Sequence, residues 1–177
     1  SSETRALPGG GTWYYPSRGE CLACHTGAAG RTLGLEIAQL NADFTYASTA
    51  RIANQLATLA HIGLFDAPLP GPPSTLDALP APTSNEGTAE TRGRSYLHAN
   101  CSFCHRPNGV GGGPMDLRFS TKLADAKACG VDPSNGDLGG AAAKILAPGD
   151  PSRSLLSIRP KRLGAGRMPP LASRVVD

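Results

Sequence analysis

Large aromatic side chains are scarce in this chain of 177 residues, since Phe, Trp and Tyr together make up only 5% of it. Gly (22) and Pro (16) together exceed a fifth of the residues. Such a chain has few large side chains with which to fill a core, so it needs another buried apolar mass, such as a cofactor, a metal or disulfides. No apolar run approaches the roughly 18 residues of a membrane span, so we expect no transmembrane segment.

Other absences narrow the function further. No cluster of Lys and Arg is interleaved with aromatic residues, so nothing supports nucleic-acid binding. The chain does not begin with a positively charged stretch followed by an apolar one, and we expect that any secretion signal has been removed.

The net charge is only +3, but it is unevenly distributed. Residues 1–90 carry 4 Arg against 8 Asp and Glu, whereas residues 91–177 carry 13 Lys and Arg against 6 Asp. This asymmetry predicts two units with different surfaces.

Four of the five cysteines fall into two copies of one pattern. The pattern is Cys-x-x-Cys-His, at residues 21–25 and again at residues 101–105. It is typical of c-type haem attachment. Two thiols one helical turn apart can both add to the vinyl groups along one edge of a porphyrin, and the imidazole of the adjacent His can then reach the iron. We therefore predict two covalently bound haem c groups. Their attachment and proximal residues are Cys21, Cys24, His25, Cys101, Cys104 and His105.

A zinc site or a redox dithiol is the alternative interpretation of these cysteines. Two Cys-x-x-Cys pairs 80 residues apart could form one Cys₄ zinc site. That alternative leaves the following His unexplained in both copies, so we favour haem. Cys129 has neither a second cysteine at the right spacing nor a following His. We expect it to be a buried small hydrophobe or a free thiol.

We expect a mostly α-helical fold of two small haem-binding units with long loops. The first unit covers residues 1–65, a Pro-rich linker covers 66–84, and the second unit covers 85–177. The linker is expected to be semi-extended because it is so rich in proline. Trp13 lies in an N-terminal arm that we expect to be extended, and its ring is expected to cover the first haem.

Two longer helices are predicted. Apolar residues at a spacing of three and four indicate a helix over about 46–62; they are Ile52, Leu56, Leu59 and Ile62. A second helix, over about 85–100 with Asn85 as its cap, leads into the second motif. Alternation typical of strands is not visible.

The sixth ligand of each iron separates an electron carrier from an enzyme. Met168 lies in a loop stiffened by Pro169 and Pro170, and a thioether on a fixed loop favours reduced iron and a higher potential. We predict that Met168 is the sixth ligand of the second haem. For the first haem, His61 is favoured because it lies beside the predicted apolar stripe. His98, Met115 and an open coordination position remain alternatives.

Residues 86–177 resemble a cytochrome c domain. The resemblance lies in the helix that enters the second motif, in Pro107 two residues after His105, and in the Met168-Pro169-Pro170 loop. It implies that the backbone carbonyl of Pro107 accepts a hydrogen bond from the His105 imidazole and so orients it.

The whole chain is also similar to a dihaem module of secreted bacterial proteins, which occurs alone or joined to dehydrogenase-like domains. The matching stretches are residues 13–17, 33–35, 39–41, 96–105, 148–151 and 167–170. The resemblance implies an electron carrier rather than an enzyme, located in the periplasm or at the cell surface. It would transfer single electrons to or from a redox partner such as a dehydrogenase or another cytochrome.

Two other functions remain open at this point. A dihaem peroxidase also pairs a low-potential haem with a high-potential one, although such enzymes are longer and have dedicated distal acid–base residues. A sensor that binds a small gas molecule at an open first haem is the other alternative.

Overall fold

The computed structural model describes residues 1–171, 173 and 176. Helix makes up 24% of the structure and strand 12%, so the expected mostly α-helical fold is wrong. Glycine is one physical reason, because 14 glycines in the described part of the chain adopt positive φ and interrupt regular structure. The elements, in chain order, are β1 (Glu3–Ala6), β2 (Thr12–Tyr15), α1 (Arg18–Cys24), α2 (Ile37–Leu40), β3 (Asp43–Tyr46), β4 (Arg51–Asn54), α3 (Gln55–His61), α4 (Ala89–Cys101) and α5 (Leu155–Ile158).

The chain divides into two compact units. The first comprises Ser1–Leu33 together with Asn100–Asp177, and the second comprises Gly34–Ala99. These units do not follow the expected boundaries, because both cysteine motifs belong to the first unit. None of the described helices combines the length and the apolar character that crossing a membrane requires.

The N-terminal segment of the first unit is an antiparallel hairpin, not an extended arm. Strand β1 pairs with β2 so that Glu3 lies opposite Tyr15 and Arg5 lies opposite Trp13. Gly9, Gly10 and Gly11 all have positive φ in the turn. Trp13 is half-buried on β2, and β2 ends two residues before the cap of α1, so the hairpin leads directly to the first motif.

The remainder of the first unit is built mainly from loops around small side chains. Its only described regular elements after α4 are a 3-10 turn (Leu123–Asp125) and the single turn α5. Its buried hydrophobic residues are Ala29, Leu117, Ala126, Ala128, Ala143, Ile145, Ala147 and Leu155. Cys129 is an exposed free thiol, which corrects the expectation that it could be a buried hydrophobe.

The second unit contains a hairpin where a helix was expected. Strands β3 and β4 pair antiparallel over residues 43–54, and only the following segment forms the helix α3. The predicted stripe fails because Ile52 is 69% exposed and Ile62 is 65% exposed, whereas Leu56 is fully buried. The predicted helix over 85–100 is present as α4, but it starts later. Thr88 caps it by accepting a hydrogen bond from the Thr91 backbone N–H at 3.1 Å.

The Pro-rich segment is held in the second unit by a buried asparagine. The Nδ2 of Asn41 donates hydrogen bonds to the carbonyls of Pro73 at 2.8 Å and Leu76 at 3.0 Å. The Oδ1 of Asn41 accepts a hydrogen bond from Asn54 Nδ2 at 2.9 Å. The segment is therefore anchored by specific hydrogen bonds although it is rich in proline.

Candidate functional site

The first cysteine motif lies at the end of a well-capped helix. Helix α1 begins after Ser17, whose Oγ accepts a hydrogen bond from the Glu20 backbone N–H, while Glu20 Oε2 accepts one from the Ser17 N–H. Tyr14 donates a further hydrogen bond from its hydroxyl to Glu20. These hydrogen bonds, with that of Tyr14 the strongest cause, lower the pKa of Glu20. The reciprocal cap fixes a helix of only seven residues, so that Cys21 and Cys24 lie one turn apart.

His25 follows directly and is held in one tautomer. Its Nδ1 lies 2.7 Å from the carbonyl oxygen of Arg31. A carbonyl can only accept, so Nδ1 carries the proton and Nε2 presents its lone pair. This is the arrangement that metal-bound histidines adopt, since a hydrogen bond at one ring nitrogen fixes the tautomer and orients the other nitrogen towards the metal.

The second motif begins at the end of α4 and is enclosed by the loop that follows. The backbone N–H of Gly111 donates to the carbonyl of Cys104 at 2.9 Å, and that of Leu117 donates to the carbonyl of His105 at 2.9 Å. The imidazole of His105 rests against Gly111, at a position where an added Cβ would collide with the ring. The loop glycine thus leaves space for the ring, a role that the sequence analysis did not assign.

The expected hydrogen bond between His105 and the Pro107 carbonyl is not formed. The Nδ1 of His105 is buried and has no hydrogen-bond partner, whereas Pro107 is exposed. The physical reason is the loop path, which places Gly111 against the ring while Pro107 turns out to solvent. Burial lowers the pKa of His105, which favours the neutral imidazole that binds metals.

The two motifs lie against each other within the first unit. Burial, with a smaller contribution from the neighbouring Cys24, raises the pKa of Cys104 to about 11. Arg106 ties the two chain segments together. Its Nη1 donates to the carbonyl of Ala28 at 3.1 Å, and its Nη2 donates to the hydroxyl of Ser102 at 3.2 Å. The sequence does not predict this contact, because no local pattern shows that residues 78 positions apart meet.

Met168 belongs to the same unit as both motifs. Its backbone N–H donates to the carbonyl of Arg159 at 3.2 Å. The guanidinium of Arg159 in turn donates to the carbonyls of Gly166 at 2.9 Å and Asn135 at 3.0 Å. Arg159 therefore holds the loop at two positions, Gly166 and the half-buried Met168.

The candidates for the sixth ligand of the first haem lie in different surroundings. His61 is exposed in the last turn of α3, in the second unit. His98, in the same unit, is nearly buried, and its Nε2 lies 2.7 Å from a carboxylate oxygen of Glu36. Met115 is half-buried in the first unit, beside the buried Asp116. Because the carboxylate already engages His98, His61 and Met115 are the more available of the three, and the choice of His61 stays a prediction.

Each motif presents the donor set that haem attachment needs. Within residues 1–171, 173 and 176, no group of three or more His, Cys, Asp or Glu side chains is arranged to hold a metal ion. Haem attachment needs only a thiol pair and an oriented imidazole in each motif. Apolar side chains also stand exposed beside both motifs, namely Leu22 at 51% and Val110 at 53%, where a porphyrin would cover them.

Comparison of the chain with protein-family models, with curated proteins and with solved structures finds no match. The functional argument therefore depends on the two motifs and on the geometry described above.

Proposed function

We propose that this chain is a dihaem c-type cytochrome that transfers single electrons between redox proteins and is not an enzyme. The observation that carries the proposal is the first motif, in which Cys21 and Cys24 lie one helical turn apart and the carbonyl of Arg31 holds the Nδ1 of His25. That hydrogen bond leaves Nε2 free for an iron ion, which is the arrangement that a proximal haem ligand requires.

Each motif would hold one haem through two thioether bonds and one imidazole. Cys21, Cys24 and His25 would bind the first haem. The second haem would be bound by Cys101, Cys104, His105 and Met168. A bound haem supplies a reversible one-electron change at iron.

The residues of the chain set the conditions for that electron change. Gly111 leaves room for the His105 ring, and Arg159 fixes the Met168 loop. A fixed loop limits reorganisation, and a thioether ligand favours reduced iron, so the second haem is expected to have the higher potential. The first haem, with two imidazoles if His61 is its sixth ligand, is expected to have the lower one.

The partner would be a dehydrogenase or another cytochrome, in the bacterial periplasm or at the cell surface. Residues 91–177 carry an excess of basic over acidic side chains. An acidic docking surface on the partner would therefore steer association, and the association rate would fall as ionic strength rises.

The experiment begins with the intact mass of the protein produced in a cell that attaches haem. We expect the mass of the chain plus two haems, retained after denaturation. Absorbance and magnetic circular dichroism should then give two low-spin irons that resist cyanide and carbon monoxide. A five-coordinate iron that binds these ligands rapidly would instead favour the peroxidase or the sensor. A bare chain would refute the proposal.

Two variants assign the sixth ligands. Met168→Ala should abolish the methionine-to-iron charge-transfer band at the red end of the visible spectrum, and His61→Ala should convert one iron to high spin. Persistence of the band in Met168→Ala would show that Met168 is not the ligand. If both irons stay low-spin in His61→Ala, the sixth ligand of the first haem is another residue. His98→Ala serves as the matched control, because its imidazole already pairs with Glu36.

A further inference from the structure

Asparagine is followed directly by glycine at two places in the chain, Asn108-Gly109 and Asn135-Gly136. In such a pair the backbone nitrogen of the glycine can attack the asparagine side chain, because glycine has no Cβ to hinder the approach. Asparagine is for this reason among the thermolabile residues. Both asparagines are exposed, so access to solvent does not distinguish the two pairs.

The first pair is protected by its backbone contacts. The N–H of Gly109 donates a hydrogen bond to the carbonyl of Arg106 at 2.9 Å. Gly109 also lies so close to the backbone carbonyl of Cys104 that an added Cβ would collide with it. Before the nitrogen of Gly109 can attack, the hydrogen bond must break and the packed backbone must turn, and both requirements slow the reaction.

The second pair has neither restraint. Among residues 1–171, 173 and 176, the backbone N–H of Gly136 has no hydrogen-bond partner. An added Cβ at Gly136 would meet nothing within 4 Å. The nitrogen of Gly136 is therefore not engaged by another group, and its surroundings leave room for the backbone to turn towards the side chain of Asn135.

The guanidinium of Arg159 contacts the peptide group that must react. Its Nη2 donates to the carbonyl oxygen of Asn135 at 3.0 Å and to that of Gly136 at 2.9 Å. When the N–H of Gly136 loses its proton, the negative charge is shared with the carbonyl oxygen of Asn135. A cationic donor at that oxygen stabilises the anion. Arg159 therefore favours the nucleophilic form of the Gly136 nitrogen.

We propose that Asn135 is the site of a spontaneous covalent modification, a deamidation promoted by Arg159, and that Asn108 is protected from it. Hydroxide removes the proton from the Gly136 nitrogen, which then attacks Cγ of Asn135. The N–Cγ bond forms, the Cγ–Nδ2 bond breaks, and Nδ2 takes a proton from water and leaves as ammonia. Water then opens the cyclic imide at one of its two carbonyls and gives aspartate or isoaspartate. No electrons are transferred, and water is the only co-reactant.

The modification places a carboxylate at the contact that Arg159 makes. In isoaspartate the main chain runs through Cγ and is one atom longer, so the carbonyls of residues 135 and 136 cannot both keep their places at Nη2. Arg159 also donates to Gly166 and accepts a hydrogen bond from the N–H of Met168. The modification thus alters a side chain that positions the Met168 loop, and any effect on a haem ligand rests on the proposed function.

The experiment follows the full-length protein during incubation at mildly alkaline pH. Samples are digested, and the deamidated peptides that contain residue 108 or residue 135 are quantified by mass spectrometry. We expect the folded protein to modify Asn135 faster than Asn108 by about tenfold or more, since one backbone hydrogen bond shifts an equilibrium by up to about that factor. In urea, where the folded contacts are lost, the two rates should converge. Equal rates in the folded protein, or the same preference in urea, would overturn the proposal.

Arg159→Gln tests the role of the guanidinium, because the glutamine amide still donates hydrogen bonds but carries no charge. The rate at Asn135 should fall severalfold, whereas the rate at Asn108 should not change. An unchanged or faster rate at Asn135 would refute its activation by Arg159.

A matched pair of variants assigns the modified residue. Deamidation adds a negative charge, so ion exchange separates the modified protein from the original. Asn135→Gln should abolish the more acidic form, and Asn108→Gln should leave it in place. The reverse pattern would contradict the assignment.

Should Arg159→Gln fail to fold, the comparison of the original protein with and without urea decides by itself. Failure of this inference is distinct from failure of the proposed function. A protein that carries two haems but modifies both asparagines equally refutes the inference alone. A bare chain that modifies Asn135 selectively refutes the cytochrome proposal alone.

Discussion

Alanine at Gly111 is expected to displace the imidazole ring of His105. A Cβ at this position would meet Nδ1 of the ring most closely and would lie 2.7 Å from both Cε1 and Cγ, whereas ordinary contact begins at 3.4 Å, so the ring must withdraw by more than about 0.7 Å. The backbone of Gly111 does not have positive φ, so the effect is steric and not conformational. Overpacking of this size costs about 1–3 kcal/mol of the free energy of unfolding.

Two measurements can detect the displacement of the His105 ring. Urea denaturation of Gly111→Ala should give a free energy of unfolding lower by about 1–3 kcal/mol. In the haem-loaded protein, magnetic circular dichroism should show a weakened imidazole–iron bond at one haem only, because Gly111 contacts the proximal residue of the second motif. A change confined to one of the two irons ties the effect to His105 and not to general loss of structure.

Gly27→Ala is the matched control, since the same methyl group is added two residues after the other proximal histidine. A Cβ at Gly27 meets nothing within 4 Å, and its φ is not positive. Its free energy of unfolding should stay within about 0.5 kcal/mol of the original protein. Equal stability and equal spectra for the two variants would refute the argument that Gly111 makes room for the ring.

Three further changes can be tested by urea denaturation. Asn41→Ala removes the hydrogen bonds that the buried Asn41 amide donates to the Pro-rich segment and should cost about 1–3 kcal/mol, and a neutral result would contradict the anchoring of that segment. Asp116→Asn removes a carboxylate whose pKa is lowered to about 2, chiefly by hydrogen bonds from Arg118. It should cost about 2 kcal/mol at pH 7, and the difference should vanish as pH falls from about 4 to 2, because that stabilisation is lost when the carboxylate is protonated. Ser17→Ala removes the cap of α1 and should cost about 1 kcal/mol, whereas the same change at the exposed Ser48 should not.

The helix leading into the second motif shows how far the sequence could predict the fold. Helix α4 is present and ends at Cys101, the first cysteine of the second motif. Its start was placed too early. Gly87 adopts φ 67°, which ends regular structure before the helix, and Thr88 rather than Asn85 provides the cap. A glycine can adopt either sign of φ, so the sequence alone does not say where it interrupts a helix.

The hairpin of the second unit was missed for a different reason. Its turn, residues 47–50, contains no Gly, Pro, Asn or Asp, and Ala50 adopts φ 53° without a residue type that would indicate it. Phe44 and Tyr46 contact each other edge-to-face along β3, with ring centroids 5.1 Å apart. The apolar spacing that begins at Ile52 also suited a helix and concealed β4, because a short apolar run fits both periods.

In the candidate site, too, the sequence predicts the local features but not the contacts between residues far apart in the chain. The motifs identify the thiols and imidazoles, because haem attachment chemistry fixes their spacing within five residues. The link from Arg106 to Ala28, which brings the two motifs together, depends on how the loops fold. No periodicity records a contact between positions so far apart, so only the structure could reveal that the motifs adjoin.

If the chain binds haem as proposed, its folding and the attachment of haem are expected to be coupled. Of the nine buried hydrophobic residues among those described, five are alanine, and alanine contributes little apolar area. Leu22 and Val110 remain more than half exposed next to the motifs. A porphyrin that covers such side chains stabilises the folded chain by about 25 cal/mol for each Å² of apolar surface removed from water. A group bound only by the folded state adds its binding free energy to stability, so the chain should unfold at a lower urea concentration without haem than with it.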